Sequence, residues 1–202
     1  MAFNSSEFWE DRYKNGGNSG QGSYNALAKF KASVINDFIE NNKIQSLLDY
    51  GVGDGNQLAL INTSRLMYYG IDISPTIIQK CKEIYKNDLN KKFFLTSDFD
   101  KNIKVELVLS CDVLYHLIEE PVYLNYIKSL FDSSSKYVII YARDENLNHA
   151  MHVKFRKFTD YISQSFKEFK LIKHIPNKFP QNPVGHNNNI TSPSDFYIYK
   201  KI

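Results

Sequence analysis

Apolar residues recur along this chain with two different periods, and the alternation between them predicts its elements. Short apolar runs at 46–50, 66–72, 92–95, 136–141, 169–175 and 196–200 read as strands. Another begins at Val105; it is nearly continuous to Leu109, as in a strand covered on both faces, and ends in the polar stretch Ser110-Cys111-Asp112. The last two runs alternate apolar and polar residues, as half-exposed strands do. Between strands the apolar positions fall three and four apart. Tyr24, Leu27, Lys31, Val34, Ile35, Phe38 and Ile39 mark a helix with Ser23 as its cap and Asn41-Asn42 as its end. Ser74-Pro75 opens a helix reaching Ile84, and Glu119-Glu120-Pro121 opens one carrying Tyr123, Ile127, Leu130 and Phe131. Met151, Phe155, Phe158, Ile162 and Phe166 predict a further helix over 149–166, and a short one at 5–13 presents Phe8, Trp9, Arg12 and Tyr13. Strands alternating with helices predict an α/β fold on a mostly parallel sheet.

Composition narrows the class more than the partner. A chain of 202 residues with 43% hydrophobic and 14% aromatic content suits one globular domain with a sizeable core. Residues 1–45 read as N-terminal helices and a glycine-rich segment, and 46–202 as the sheet core. A net charge of +3 is too slight to call for nucleic acid, and no dense basic patch or separate RNA-binding module stands out. Cys81 and Cys111 lie far apart inside regular elements, as reduced thiols do. The N-terminus lacks a basic segment followed by an apolar one, and no run approaches the ~20 apolar residues that span a bilayer, so a cytoplasmic location without membrane contact is expected.

The chemistry is concentrated after the first strand. Gly51, Gly53 and Gly55 alternate in a turn from Asp49 to Gly55, with a helix expected from near Asn56 to Ile61. Missing Cβ atoms let backbone approach a ligand closely. A dinucleotide fingerprint needs its third glycine where Asn56 stands. The D-x-G-x-G-x-G pattern instead resembles motif I of the class I S-adenosylmethionine (SAM) dependent methyltransferases. Asp72, at the tip of the second strand, resembles that family's motif II, and Asp98-Phe99 resemble motif III. The stretch from Val105 through Asp112 to His116 resembles motif IV, with Glu106 where the family usually has Asp.

That resemblance implies a Rossmann-like seven-stranded, mostly parallel sheet with helices on both faces and an antiparallel last strand, forming one SAM-dependent domain over 1–202. It implies SAM as cofactor. Asp49, Gly51, Gly53 and Asn56 would meet its methionine end, Asp72 and Ile73 its ribose, Asp98 and Phe99 its adenine, and Cys111 and Asp112 again the methionine part. For Asp98 a plain surface turn is an equal reading. Trp9, Arg12 and Tyr13 are expected at the cofactor from the N-terminal side, because the segment before motif I commonly folds over it in this family. The intervening loop, with Gly16, Gly17, Gly20 and Gly22, is either such a lid, able to bind an anion through unshielded N–H groups, or a flexible connector.

For the acceptor, the family implies an SN2 transfer in which positioning and desolvation supply much of the acceleration. His116 is the candidate base, against a packing or capping role. Tyr115, Arg143, His149, His152 and Arg156 are the candidate acceptor contacts, the last three as a stripe on the 149–166 helix that would suit an anionic group, or else a solvated flank. No metal site is expected from His149 and His152 alone. Trp9-x-x-Arg12-Tyr13 with the glycine loop looks like small bacterial methyltransferases of capsule and surface-glycan pathways. This implies O-methylation of a sugar, nucleotide-sugar or phosphate-type small molecule. The rivals are an RNA or protein methyltransferase, an NAD-binding oxidoreductase on a similar fold, and a catalytically silent SAM-binding protein.

Overall fold

Successive side chains of a strand point to opposite faces, so a strand with no polar face must be covered twice. The computed structural model, which describes residues 3–181 and 191–202, shows both covers. After α1 (Ser5–Lys14) and α2 (Asn25–Asn41) come β1 (Ser46–Tyr50), β2 (Met67–Asp72), α3 (Pro75–Ile84), β3 (Lys91–Leu95) and β4 (Val105–Cys111). The chain continues through α4 (Glu120–Ser133), β5 (Ser134–Ala142), β6 (Leu147–Ala150), β7 (Val153–Phe155), α5 (Phe158–Ser165), β8 (Phe169–Ile175) and β9 (Asp195–Lys201). Leu47, Leu107, Leu109 and Ile139 pack with Ile35 and Ile39 of α2 and Ile77 and Ile78 of α3. Their neighbours Leu48, Val108, Val138 and Ile140 pack on the opposite face with Ile127 and Leu130 of α4 and Phe158 and Ile162 of α5.

The seven-stranded sheet has the order β3-β2-β1-β4-β5-β9-β8. β1 pairs in parallel with β2 and with β4, and β5 continues the parallel set. β9 runs antiparallel to both β5 and β8, as expected for the last strand. The chain leaves β1 towards β2 and β3 on one side and returns to β4 on the other. The crevice beyond the carboxyl ends of β1 and β4 is therefore the switch point where such sheets bind ligands. Among the described residues no helix is long and apolar enough to cross a membrane.

Three expected local features are corrected. The helix over 149–166 exists only from Phe158; before it stands the β6–β7 hairpin, with Met151 exposed near its tip. Val153 and Phe155 are buried while Lys154 between them is not, a strand alternation, and Asp144 fixes the helix start by accepting from Thr159 N and Oγ1. The helix after the glycine turn is a single 3₁₀ turn, Leu58–Leu60, because Asn36 takes the Leu60 carbonyl and accepts from Asn62 N. Ser23 ends a 3₁₀ turn and does not cap α2; Tyr24 stands at the cap position without a side-chain bond. Gly185 and His186 of the loop before β9 lie outside the described residues.

Candidate functional site

A cavity of about 660 Å³ opens at the switch point, within the size range of small-molecule sites. From the expected set it gathers Trp9, Tyr13, Asp49, Gly51, Gly53, Asp72, Ile73, Cys111, Asp112 and His116. Beside it lies a second cavity of about 360 Å³, which takes Arg12, Tyr115 and His152. Trp9, Ser19, Asp112 and His116 line both.

The glycine turn works through left-handed backbone and close approach. Gly51 and Gly53 have φ of 96° and 57°. A Cβ on Gly51 would sit 2.5 Å from Val113 Cγ2, and one on Gly53 2.3 Å from Ser19 Oγ. The turn thus admits the N-terminal loop against itself. Asp54 holds that loop: its N–H donates to Ser19 Oγ (2.8 Å), while its Oδ2 accepts from Ser19 N (3.0 Å) and the Tyr24 hydroxyl (2.6 Å). Burial raises the Asp54 pKa, but these donors outweigh it and hold the carboxyl below its ordinary range. Tyr13 OH reaches Ser19 Oγ at 3.1 Å, and Asn56 donates to the Ser23 carbonyl. Asn56 accordingly belongs to this clasp and does not line the larger cavity.

Two buried carboxyls stand on the cavity wall. Asp72 accepts from Gly53 N and Ser74 N, both at 3.0 Å; Asp49 accepts from the Tyr68 hydroxyl at 2.8 Å. Burial, only partly offset by those hydrogen bonds, raises each to about 6. Ser74 caps α3, so Asp72 is not needed for that task. Glu10 of α1 accepts from Ser74 Oγ and Thr76 Oγ1, and Ser5 at the start of α1 donates to Glu119. The start and the middle of α1 are thereby tied down, to the chain after β4 and to the start of α3.

At the end of β4, Asp112 takes φ 60°, a conformation rare outside glycine and commoner for Asp than for most residues. Lys31 Nζ bonds its Oδ2 and Tyr115 OH its Oδ1 (2.8 Å). His116 lies beyond it, edge-on to Trp9 with ring centroids 4.8 Å apart. Its Nδ1 is 3.1 Å from the His152 carbonyl, which can only accept, so Nδ1 carries the proton and Nε2 the lone pair. Burial lowers its pKa to about 4, keeping the ring neutral at neutral pH.

Several expected contacts are elsewhere. Asp98 is exposed and bonds Ser97, and Phe99 packs into the core against Tyr69 and Phe94; Thr96, Ser97 and Lys101 line the cavity at that edge. Arg143 pairs with Glu145 and lies over Phe155. Arg156 donates to the Leu117 and Ile118 carbonyls (2.8 and 2.9 Å) and to Glu120, stacked on Tyr123, so it braces the chain after His116. With no helix there, the expected stripe dissolves; the His149 side chain lies outside the described residues. The missed residues include Lys31, Gln57, Asp54 and Ser19. Lys31 sits on the helix stripe like a core residue, and only its being a lysine there was a signal.

A family model described as a methyltransferase domain matches residues 41–182. Among curated proteins no sequence matches. Among solved structures, the chain is similar to the N-methyltransferase NodS of Bradyrhizobium japonicum, crystallised with S-adenosylhomocysteine: TM-score 0.74, 13% identity, 98% of this chain and 99% of that one. It is also similar to magnesium protoporphyrin IX methyltransferase of Synechocystis with bound SAM: TM-score 0.69, 13% identity, 100% and 99% covered. The methyltransferase domain of a bacterial Hen1 gives TM-score 0.66 at 15% identity, with 86% and 97% covered.

Proposed function

Since the chain belongs to the class I SAM-dependent methyltransferases, we propose that it methylates a small polar metabolite held in the smaller cavity. The observation that carries this reading is adjacency: Trp9, Ser19, Asp112 and His116 line both spaces, which puts molecules bound in the two side by side. The residues present fit SAM in the larger cavity. Asp72 supplies a buried acceptor for a ribose diol, and Gln57, which lines the cavity, leaves its buried Oε1 without a hydrogen-bond partner, an acceptor suited to an ammonium group. Asp49, Asp72, Asp112 and Asp132 against Lys31, Lys101 and Lys128 leave the lining with a slight excess of carboxylates for a sulfonium cation. The bound cofactor supplies an electrophilic methyl group.

The chain's own residues then do the following. Trp9, Tyr13, Ser19 and Ser23 flank the cavity on its N-terminal side and would shield the bound cofactor from water. His116 Nε2 takes the proton of the acceptor hydroxyl, its tautomer held by the His152 carbonyl. The acceptor is a sugar, nucleotide-sugar or phosphate-type molecule that undergoes O-methylation in surface-glycan synthesis. A volume of about 360 Å³ suits a ring-sized acceptor better than a folded RNA or protein. Transfer of labelled methyl from SAM into a metabolite extract tests this. Label appearing in a small molecule supports it; label only in RNA or protein fractions refutes the acceptor class.

A further inference from the structure

The smaller cavity carries an unbalanced positive charge. Besides its histidines it is lined by two charged residues, Arg12 and Asp112. Asp112 is already matched by Lys31, 2.5 Å away and almost wholly buried. Arg12 makes no ion pair among the described residues. Its Nε donates to the Asn18 carbonyl (2.6 Å) and its Nη2 to Asn18 Oδ1 (3.4 Å), which occupies two of the five N–H bonds of a guanidinium. The group is steadied over the Trp9 ring at 5.7 Å, and its field is felt at His116, whose proton affinity it lowers. Arg143 and Arg156, expected to read an anion, are committed to Glu145 and Glu120.

We propose that Arg12 is the anion-reading residue of the acceptor pocket, and that the methyl acceptor carries a carboxylate or phosphate group. This rests on the reading of the smaller cavity as the acceptor site. The planar fork of Arg matches either oxyanion in a bidentate way, and it keeps its charge at every working pH. Phe8, Trp9, Tyr115, His116 and His152 line the same space, an aromatic wall suited to a small ring-bearing acid. Arg12 thus serves the acceptor, where the sequence pattern placed it at the cofactor.

Trp9 is the only tryptophan and lines both cavities, so its fluorescence reports on each. The full chain is titrated with S-adenosylhomocysteine, then, once loaded, with glucose, glucuronate and glucose 6-phosphate, with calorimetry as the second readout. The expected result is saturable binding of at least one anionic sugar about tenfold to a hundredfold tighter than glucose. Arg12→Gln loses that preference, Arg12→Lys keeps part of it, and neither changes S-adenosylhomocysteine affinity. Whether glucuronate or glucose 6-phosphate binds tighter identifies the oxyanion. If the homocysteine compound does not bind, the cofactor reading fails and the proposal with it. If it binds but glucose matches the anions, or Arg12→Gln retains the preference, the proposal alone is overturned. Loss of S-adenosylhomocysteine affinity in Arg12→Gln, with anion binding intact, returns Arg12 to the cofactor and also overturns it.

Discussion

Lys31 Nζ sits 2.5 Å from Asp112 Oδ2, joining α2 to the residue just past β4 in a pair almost closed to solvent. Taking one charge from such a pair leaves the other buried and uncompensated. Lys31→Met is expected to cost about 3–5 kcal/mol in urea denaturation. Adding Asp112→Asn to that variant should recover part of the loss; a double variant no more stable than Lys31→Met would show that the pair is not coupled.

SAM affinity should depend on pH through Asp72. Burial raises this carboxyl to about 6, so below that pH it is protonated in the free protein and must lose the proton to accept two ribose hydroxyls. Affinity measured by calorimetry is expected to be flat above pH 7 and to weaken by up to about tenfold per pH unit below about 6. Asp49 also titrates near 6, so Asp72→Ala separates the two: it should weaken binding at pH 8 and remove most of the slope. Unchanged affinity would refute the ribose placement.

His116 follows the opposite sign. With its pKa lowered to about 4, it is neutral and able to accept a proton at any pH above about 5. The turnover profile should therefore show no His-type loss between pH 8 and 5 once SAM is saturating. His116→Ala should lower kcat with labelled SAM by about a hundredfold or more while leaving SAM affinity within about threefold. A fully active variant removes His116 as the base.

The N-terminal clasp turns on Asp54. Asp54→Ala leaves Ser19 N and Tyr24 OH without their acceptor, at an expected cost of about 1–3 kcal/mol. Amide hydrogen exchange across 15–24 should accelerate, while β1 and β4 amides stay protected. Equal loss of protection in the sheet would mean that the loop is part of the folding core.

Arg156→Ala should affect stability and leave acceptor selectivity alone, because its guanidinium is occupied by the Leu117 and Ile118 carbonyls and Glu120. A changed acceptor preference with unchanged melting temperature would contradict that assignment.

Much of this was legible in the sequence wherever the physics is local. Asp49 to Gly55, the Ser74-Pro75 start and the alternating last strands depend on neighbours a few residues away, and each stands where expected. Phe158 and Ile162 read correctly as one helical face, which Phe166 continues only as the buried cap residue, but Met151 and Phe155 share their spacing by accident and belong to a hairpin. Nothing local marks the Asp144 contact with Thr159 that sets the helix start. Lys31 is harder still: its partner is 81 residues on, and a lysine on an apolar stripe looks the same until the fold brings a carboxylate to it. Arg12 and Arg156 were equally visible as cations. Which one is free to meet a ligand depends on Asn18 and Glu120, on chain geometry that spacing does not encode.

The Ser19–Asp54 clasp has a kinetic consequence. Ser19 belongs to the walls of both cavities, so breaking its bonds to Asp54 would loosen one wall of each. On the proposed reading of the two cavities, loosening this clasp by Asp54→Ala is expected to speed the release of cofactor and acceptor together. Ligand release that depends on such a loop would make turnover respond to solvent viscosity, and kcat unchanged by added sucrose would show that the clasp does not pace it.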